Sequence, residues 1–147
     1  MLSTVKLYDF EDFIRNIKKS DNSGSILLPF QNGISAEQRL IEEFGEERCY
    51  GAVAQISSYV DKDQSINHVG KLATFFVGRI SQKSDVKLAN FCNMSNEVGL
   101  DIRHKENIKE KIWEKFIFLS AYSGMTTLTQ KTTVSYTHLT LPTNGEV

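Results

Sequence analysis

The chain has 147 residues, 40% of them hydrophobic, which suffices for one globular domain with a sizeable core and falls short of two complete ones. Seventeen basic against eighteen acidic side chains leave a net charge of −1, so there is no electrostatic footprint for nucleic acid or for an anionic lipid surface. No apolar run approaches the roughly 20 residues that span a bilayer and no basic-then-apolar leader opens the chain, so the expected compartment is the cytosol.

Residues 2–6 read as a short strand, and residues 8–19 as a helix with Phe10, Phe13, Ile14 and Ile17 at helical spacing. A turn cluster over 21–24 ends that helix. The continuous apolar run over 25–33, closed by a glycine turn, predicts a strand buried on both faces, as in a parallel sheet. A second amphipathic helix follows over 35–44 with Gly45 as its C-cap, and the pattern returns to strand over 49–59. Strand, helix, strand, helix, strand within about 60 residues is the βαβ signature of a doubly wound α/β sheet. Beyond a turn at 61–64, residues 66–69 and 72–77 read as two short strands joined around Gly70 in an antiparallel hairpin. A third helix over 84–98 is ended by Gly99, and a brief strand over 100–103 leads into the last and longest helix, 107–128.

That last helix carries the most informative residue. Asn107 followed by Glu110 forms a capping-box-like start, and Ile108, Ile112, Phe116 and Leu119 recur at helical spacing. At about 100° per residue, Lys115 projects between Ile108, Ile112 and Leu119, within the apolar stripe. Burial disfavours a charged ammonium and lowers its pKa, which is how a lysine becomes a proton donor or acceptor near neutrality. The alternative is a lysine whose aliphatic stem snorkels to an edge. Cys49 and Cys92 stand alone, without metal-ligand or redox-motif spacing, and read as core thiols; no metal site is expected.

Five pieces in order now resemble one family: Val5-Lys6-Leu7-Tyr8-Asp9, the turn Pro29-Phe30-Gln31-Asn32-Gly33-Ile34, the strand 51–57 (G-A-V-A-Q-I-S), His68-Val69-Gly70, and Ile112-Trp113-Glu114-Lys115-Phe116. Over residues 2–131 the chain resembles the 2-dehydropantoate 2-reductase, or ketopantoate reductase, family. The resemblance implies an α/β fold: residues 1–106 as the C-terminal part of a Rossmann-like NADP-binding domain, and 107–133 as the first helix of an all-helical domain. It also implies an NADPH-dependent enzyme that reduces a small-molecule 2-keto acid, 2-dehydropantoate, to pantoate on the way to pantothenate, in a cleft between the domains. Lys115 matches the family's general acid, Lys6 the lysine near the cofactor, and Asn32 the asparagine that contacts cofactor and substrate. Taken singly, Lys6 also reads as a solvated strand-end lysine and Asn32-Gly33 as a turn chosen for positive φ.

Two departures and one absence qualify that picture. Many members carry asparagines one and two helical turns after the acid lysine, where this chain has Leu119 and Ser123, which leaves Ser123 as the substrate-binding hydroxyl on that helix. A related dehydrogenase for another small keto or hydroxy acid fits this difference, and a non-catalytic Rossmann-like binding module is the alternative from another class. The glycine-rich G-x-G-x-x-G turn that cradles a dinucleotide pyrophosphate is not in the sequence. Residues 134–143 read V-S-Y-T-H-L-T-L-P-T, the codon-by-codon translation of the common transposase sequencing adapter, so 134–147 is expected to be adapter-derived and its His138 is not a catalytic candidate.

Overall fold

The computed structural model describes residues 1–20, 24–81 and 85–130; the expected turn at 21–24 in large part, Ser84 and the whole adapter-like segment lie outside them. Strand β1 (Leu2–Ser3) and strand β2 (Leu28–Pro29) pair in parallel, with Leu2 opposite Leu28 and Ser3 opposite Pro29. Between them lies helix α1 (Phe10–Lys19), which completes a βαβ unit. Both strands are shorter than the sequence suggests. Pro29 has no N–H to give to a ladder, and after Ser3 the chain bends at Val5 and closes into a 3-10 turn at Leu7–Asp9.

A bridge from Leu27 to Cys49 joins this pair to strand β3 (Tyr50–Val60), through bonds from Leu27 N–H to the Arg48 carbonyl and from Tyr50 N–H to the Leu27 carbonyl. Strand β4 (Ile66–Arg79) runs antiparallel to β3, and strand β5 (Asp101–His104) runs parallel to β4. Helix α2 (Ser35–Phe44) occupies the range its periodicity predicts, and Gly45, at φ +80°, ends it. Helix α3 (Val86–Glu97) is capped by Asp85, whose carboxylate accepts from the N–H groups of Lys87 and Leu88.

The strand at 27–28 is buried on both faces, as its continuous apolar run predicts. Leu27 joins Phe10, Ile14 and Ile17 of α1, Ala36 and Leu40 of α2, and Cys49 in one cluster. Leu28 joins a second cluster with Tyr50, Ala52 and Val77 and with Leu88 and Cys92 of α3. Successive side chains of a strand point to opposite faces, so helices must cover both sides of this sheet. Both cysteines are free and buried.

One expectation is corrected. Residues 66–69 and 72–77 do not fold on each other around Gly70; both belong to β4 and pair with β3, and the hairpin turn is 61–65. The register moves from Ile56 opposite Ala73 to Ser58 opposite His68, so β4 bulges over 69–72, with Gly70 at φ +78° and the His68 ring within 3.0 Å of the Leu72 carbonyl. A positive-φ glycine serves a bulge as well as a turn.

Helix α4 (Ile108–Thr129) begins after Asn107 as expected, although the Asn107 side chain makes no capping bond to it. Its first turns sit on a cross-strand pair of glycines, Gly51 of β3 opposite Gly78 of β4. A Cβ at Gly51 would lie 2.8 Å from Ile112 Cδ1 and 2.9 Å from Ile108, and one at Gly78 would lie 2.1 Å from the Lys105 carbonyl oxygen. Ile108 and Ile112 fill this seat together with Val53, Phe76 and Ile80. Beyond Phe116 the helix leaves Ile117, Phe118, Tyr122, Met125 and Leu128 exposed.

The Gly78→Ala variant is expected to lose about 1–3 kcal/mol or more, because the clash is with backbone. The Gly51→Ala variant meets side-chain ends that can shift, and is expected to lose less. Urea unfolding of the two variants checks the order; equal midpoints would show that backbone contact at Gly78 does not set the helix approach.

Candidate functional site

The site is assembled where the carboxyl ends of the parallel strands meet the flank of α4, the end of an open α/β sheet at which such folds bind ligands. After β2, the Gln31 amide donates to Ser3 Oγ at 2.7 Å and to the Val5 carbonyl at 2.9 Å, which ties the exit of β1 to the exit of β2. Gly33, at φ +103°, then turns the chain into α2. Asn32 stands between these two constraints, exposed at the turn.

Lys115 arrives from the other side. Seven residues after Ile108, it is half-buried on α4, and its ammonium donates to the Ala54 carbonyl at 2.8 Å. Strand alternation explains why that carbonyl is available. Tyr50 turns its N–H to the β2 side, so Ala54, four residues on, turns its carbonyl to the same edge, which β2 no longer covers. Burial holds the Lys115 pKa below the ordinary lysine value, because an ammonium half out of water is less well solvated than its neutral amine.

Asn32 and Lys115 line one open cleft of about 550 Å³ together with Ala54, Gln55, Ile56, Leu72, Glu114, Phe118 and Leu119. The structure thus brings together two of the four residues singled out from the sequence. Lys6 is exposed three residues past β1, at the start of the 3-10 turn, and does not line the cleft. Ser123 is exposed on α4 two turns past Lys115, also outside the lining. Sequence reasoning missed Gln55, Ile56 and Leu72, since nothing local says which part of the β3–β4 ribbon faces α4. Glu114 and Phe118 were missed as well, although their places beside and one turn after Lys115 were a signal that could have found them. Among the described residues, no group of three His, Cys, Asp or Glu side chains gathers to hold a metal, and no helix is long and apolar enough to cross a membrane.

Parallel strands joined through a helix, layered between helices and ending in a lysine-bearing cleft, define a Rossmann-like α/β unit of the kind found in oxidoreductases. The chain belongs to the ketopantoate reductase PanE/ApbA family, whose description matches residues 1–82. It is 23% identical over 126 residues to a 2-dehydropantoate 2-reductase of Aquifex aeolicus, covering 85% of this chain and 41% of that protein. It is 25% identical over 126 residues to an uncharacterised oxidoreductase of Bacillus subtilis, covering 86% of this chain and 42% of the relative. Among solved structures it is similar to 2-dehydropantoate 2-reductase from Geobacter metallireducens, with a TM-score of 0.78, 25% identity and coverage of 88% of this chain and 43% of that one. A D-mandelate dehydrogenase in complex with NADH shares the fold at a TM-score of 0.76 and 15% identity, over 88% of this chain and 43% of that one. The chain therefore spans about two fifths of the length of these relatives.

The side-chain resonances of Lys115 are expected to titrate with a midpoint below the roughly 10.4 of a free lysine. The partly dehydrated ammonium gives up its proton at lower pH than a solvated one. NMR of the ε-methylene carbon across pH 7–11 checks this, and a midpoint at or above the free value would mean that the ammonium is fully solvated.

Proposed function

We propose that this chain supplies the proton-donating wall of a 2-keto acid reductase that uses NADPH, with 2-dehydropantoate as the first substrate to test. The observation that carries the reading is the Lys115 ammonium, anchored on the Ala54 carbonyl at 2.8 Å in a cleft shared with Asn32. An ammonium has three N–H donors. One is spent on Ala54, which fixes the direction of the other two and leaves them for a substrate oxygen.

A reduced nicotinamide, when bound, supplies the hydride for the keto carbon. Lys115 then does two things at the carbonyl oxygen: its charge stabilises the developing oxyanion, and its lowered pKa eases transfer of a proton to the alkoxide. Asn32 offers an amide to the substrate's carboxylate or keto oxygen and to the cofactor from the same turn. Lys6 stands at the start of the 3-10 turn that follows β1, the strand beside β2, and offers a cation to the cofactor's phosphates. The open space around Gly33, where an added Cβ would meet nothing within 4 Å, suits the approach of a ligand to that turn. Ser123, further along α4, is assigned to the part of a substrate that reaches past Leu119. In this reading residues 1–106 belong to the nucleotide-binding domain and α4 opens the second domain, so the cleft is interdomain.

In a protein of full family length that carries this segment, Lys115→Met is expected to keep the fold and lower kcat by roughly 10² or more. A loss of less than about tenfold would make Lys115 a structural or substrate-holding lysine. The absence of NADPH turnover with every member of a panel of 2-keto acids would favour the non-catalytic binding module.

The 147-residue chain by itself is expected not to bind NADPH with useful affinity. Pyrophosphate recognition in a Rossmann domain comes from the glycine-rich turn and the helix N-terminus behind it, and that motif is not in this sequence. Nicotinamide fluorescence during a titration is the direct measurement. Saturable binding in the low micromolar range would show that other residues replace the motif.

A further inference from the structure

A second cavity, of about 430 Å³, lies between α2 and the first turns of α4 and shares no lining residue with the Lys115 cleft. Its walls are largely apolar: Ile34 and Ile41 from the α2 side, Ile80 after β4, and Ile112 and Trp113 from α4. Helical spacing sets a carboxylate among them. Glu37 stands three residues after Ile34 and four before Ile41, on one face of α2, while Ala36 and Leu40 on the adjoining face pack into the α1 core. Glu37 is 6% exposed and lines the cavity, and its Oε2 has no hydrogen-bond partner. A buried carboxylate ordinarily meets a cation or several N–H groups, and one left without them costs free energy for the water it has lost. The other charged groups of the lining are Glu46, in the turn after α2, and Lys109, on α4; both are exposed. Burial pushes the Glu37 pKa up to about 7, with no charged neighbour contributing.

We propose that this cavity binds a small primary ammonium ion carried on an apolar or aryl body, with Glu37 as its counter-ion. The site stands apart from the Lys115 cleft and does not depend on the reductase reading. An ammonium brings three N–H donors and a positive charge, so it supplies both things that the Glu37 carboxylate lacks. Trp113 adds an indole, the side chain whose ring attracts a cation most strongly. The isoleucines take the apolar body out of water. A neutral alcohol of the same shape offers one donor and no charge, and an anion meets two carboxylates against one amine. Binding is also linked to a proton. The ammonium pairs only with ionised Glu37, so affinity rises with pH through about 7, the value to which burial lifts this carboxyl. An alkyl ammonium keeps its own proton well above that pH.

The test is a titration of the 147-residue chain with three probes of one shape: benzylammonium, benzyl alcohol and benzoate. Trp113 is the chain's single tryptophan and is 49% exposed, so its emission reports on this cavity. At pH 8 benzylammonium is expected to give a saturable blue shift with a Kd at least tenfold below that of benzyl alcohol, and benzoate to give none. Glu37→Gln keeps the size of the side chain and removes its charge. It is expected to leave the urea unfolding midpoint unchanged or higher and to erase the preference for the ammonium. In the unaltered chain the benzylammonium Kd is expected to rise about tenfold from pH 8 to pH 6, as Glu37 takes up its proton. That measurement stands without the variant, so it decides the matter even where Glu37→Gln fails to fold. Equal affinity for the three probes, a preference that survives Glu37→Gln, a Kd indifferent to pH, or no saturable shift with any probe would each overturn the proposal.

Discussion

The close approach of α4 to the sheet at Gly51 and Gly78 is the contact on which the rest of the site depends. A helix lies on a strand pair at ordinary distance when side chains separate them. Here two opposed glycines remove the separation, and Ile108 and Ile112 drop into the space that Cβ atoms would take. Seven residues cover about two helical turns, so seating Ile108 also decides where Lys115 emerges. It emerges level with Ala54, at the one edge of β3 whose carbonyls no neighbouring strand has claimed. A bulkier pair at 51 and 78 would raise the helix and separate the ammonium from that carbonyl.

The same packing acts on two ionisable groups in opposite directions. Glu37, in the first turn of α2, is buried with one carboxylate oxygen unpartnered, and burial pushes its pKa up to about 7. Lys115 is only half-buried and its pKa is pushed down. In both cases the charged form is the one that loses water. The lysine retains a strong acceptor in Ala54 and access to the cleft, so it combines partial dehydration with a fixed orientation.

Much of this was legible in the sequence, for identifiable reasons. Helix α2 appears over its predicted range because periodicity and a terminating glycine agree there. The double burial of Leu27 and Leu28 follows from an uninterrupted apolar run. Lys115 stood out because a charge in an apolar stripe conflicts with the period around it, and that conflict is visible without knowing what the helix packs against. The β4 bulge was not legible: Gly70 advertises a positive φ, but whether the flanking segments pair with each other or with a third strand is decided by tertiary register. The apolar wall of the cleft was hidden for the same reason. Ile56 and Leu72 become neighbours of Phe118 only once the ribbon and the helix have been placed. Lys6 read as the end of a strand and stands instead at the start of a 3-10 turn, because the β1 ladder ends after Ser3.

Helix α4 is anchored at one end and overhangs the sheet at the other, which makes it a lever. Its fulcrum is the glycine seat under Ile108 and Ile112, and its long arm carries the uncovered residues from Ile117 to Leu128. Lys115 rides on that arm, about 10 Å from Ile108 at the helical rise. A tilt of about 10° moves its ammonium by about 2 Å at that radius, enough to make or break the bond to Ala54. A displacement of the overhanging end is therefore carried to the ammonium through the helix between them.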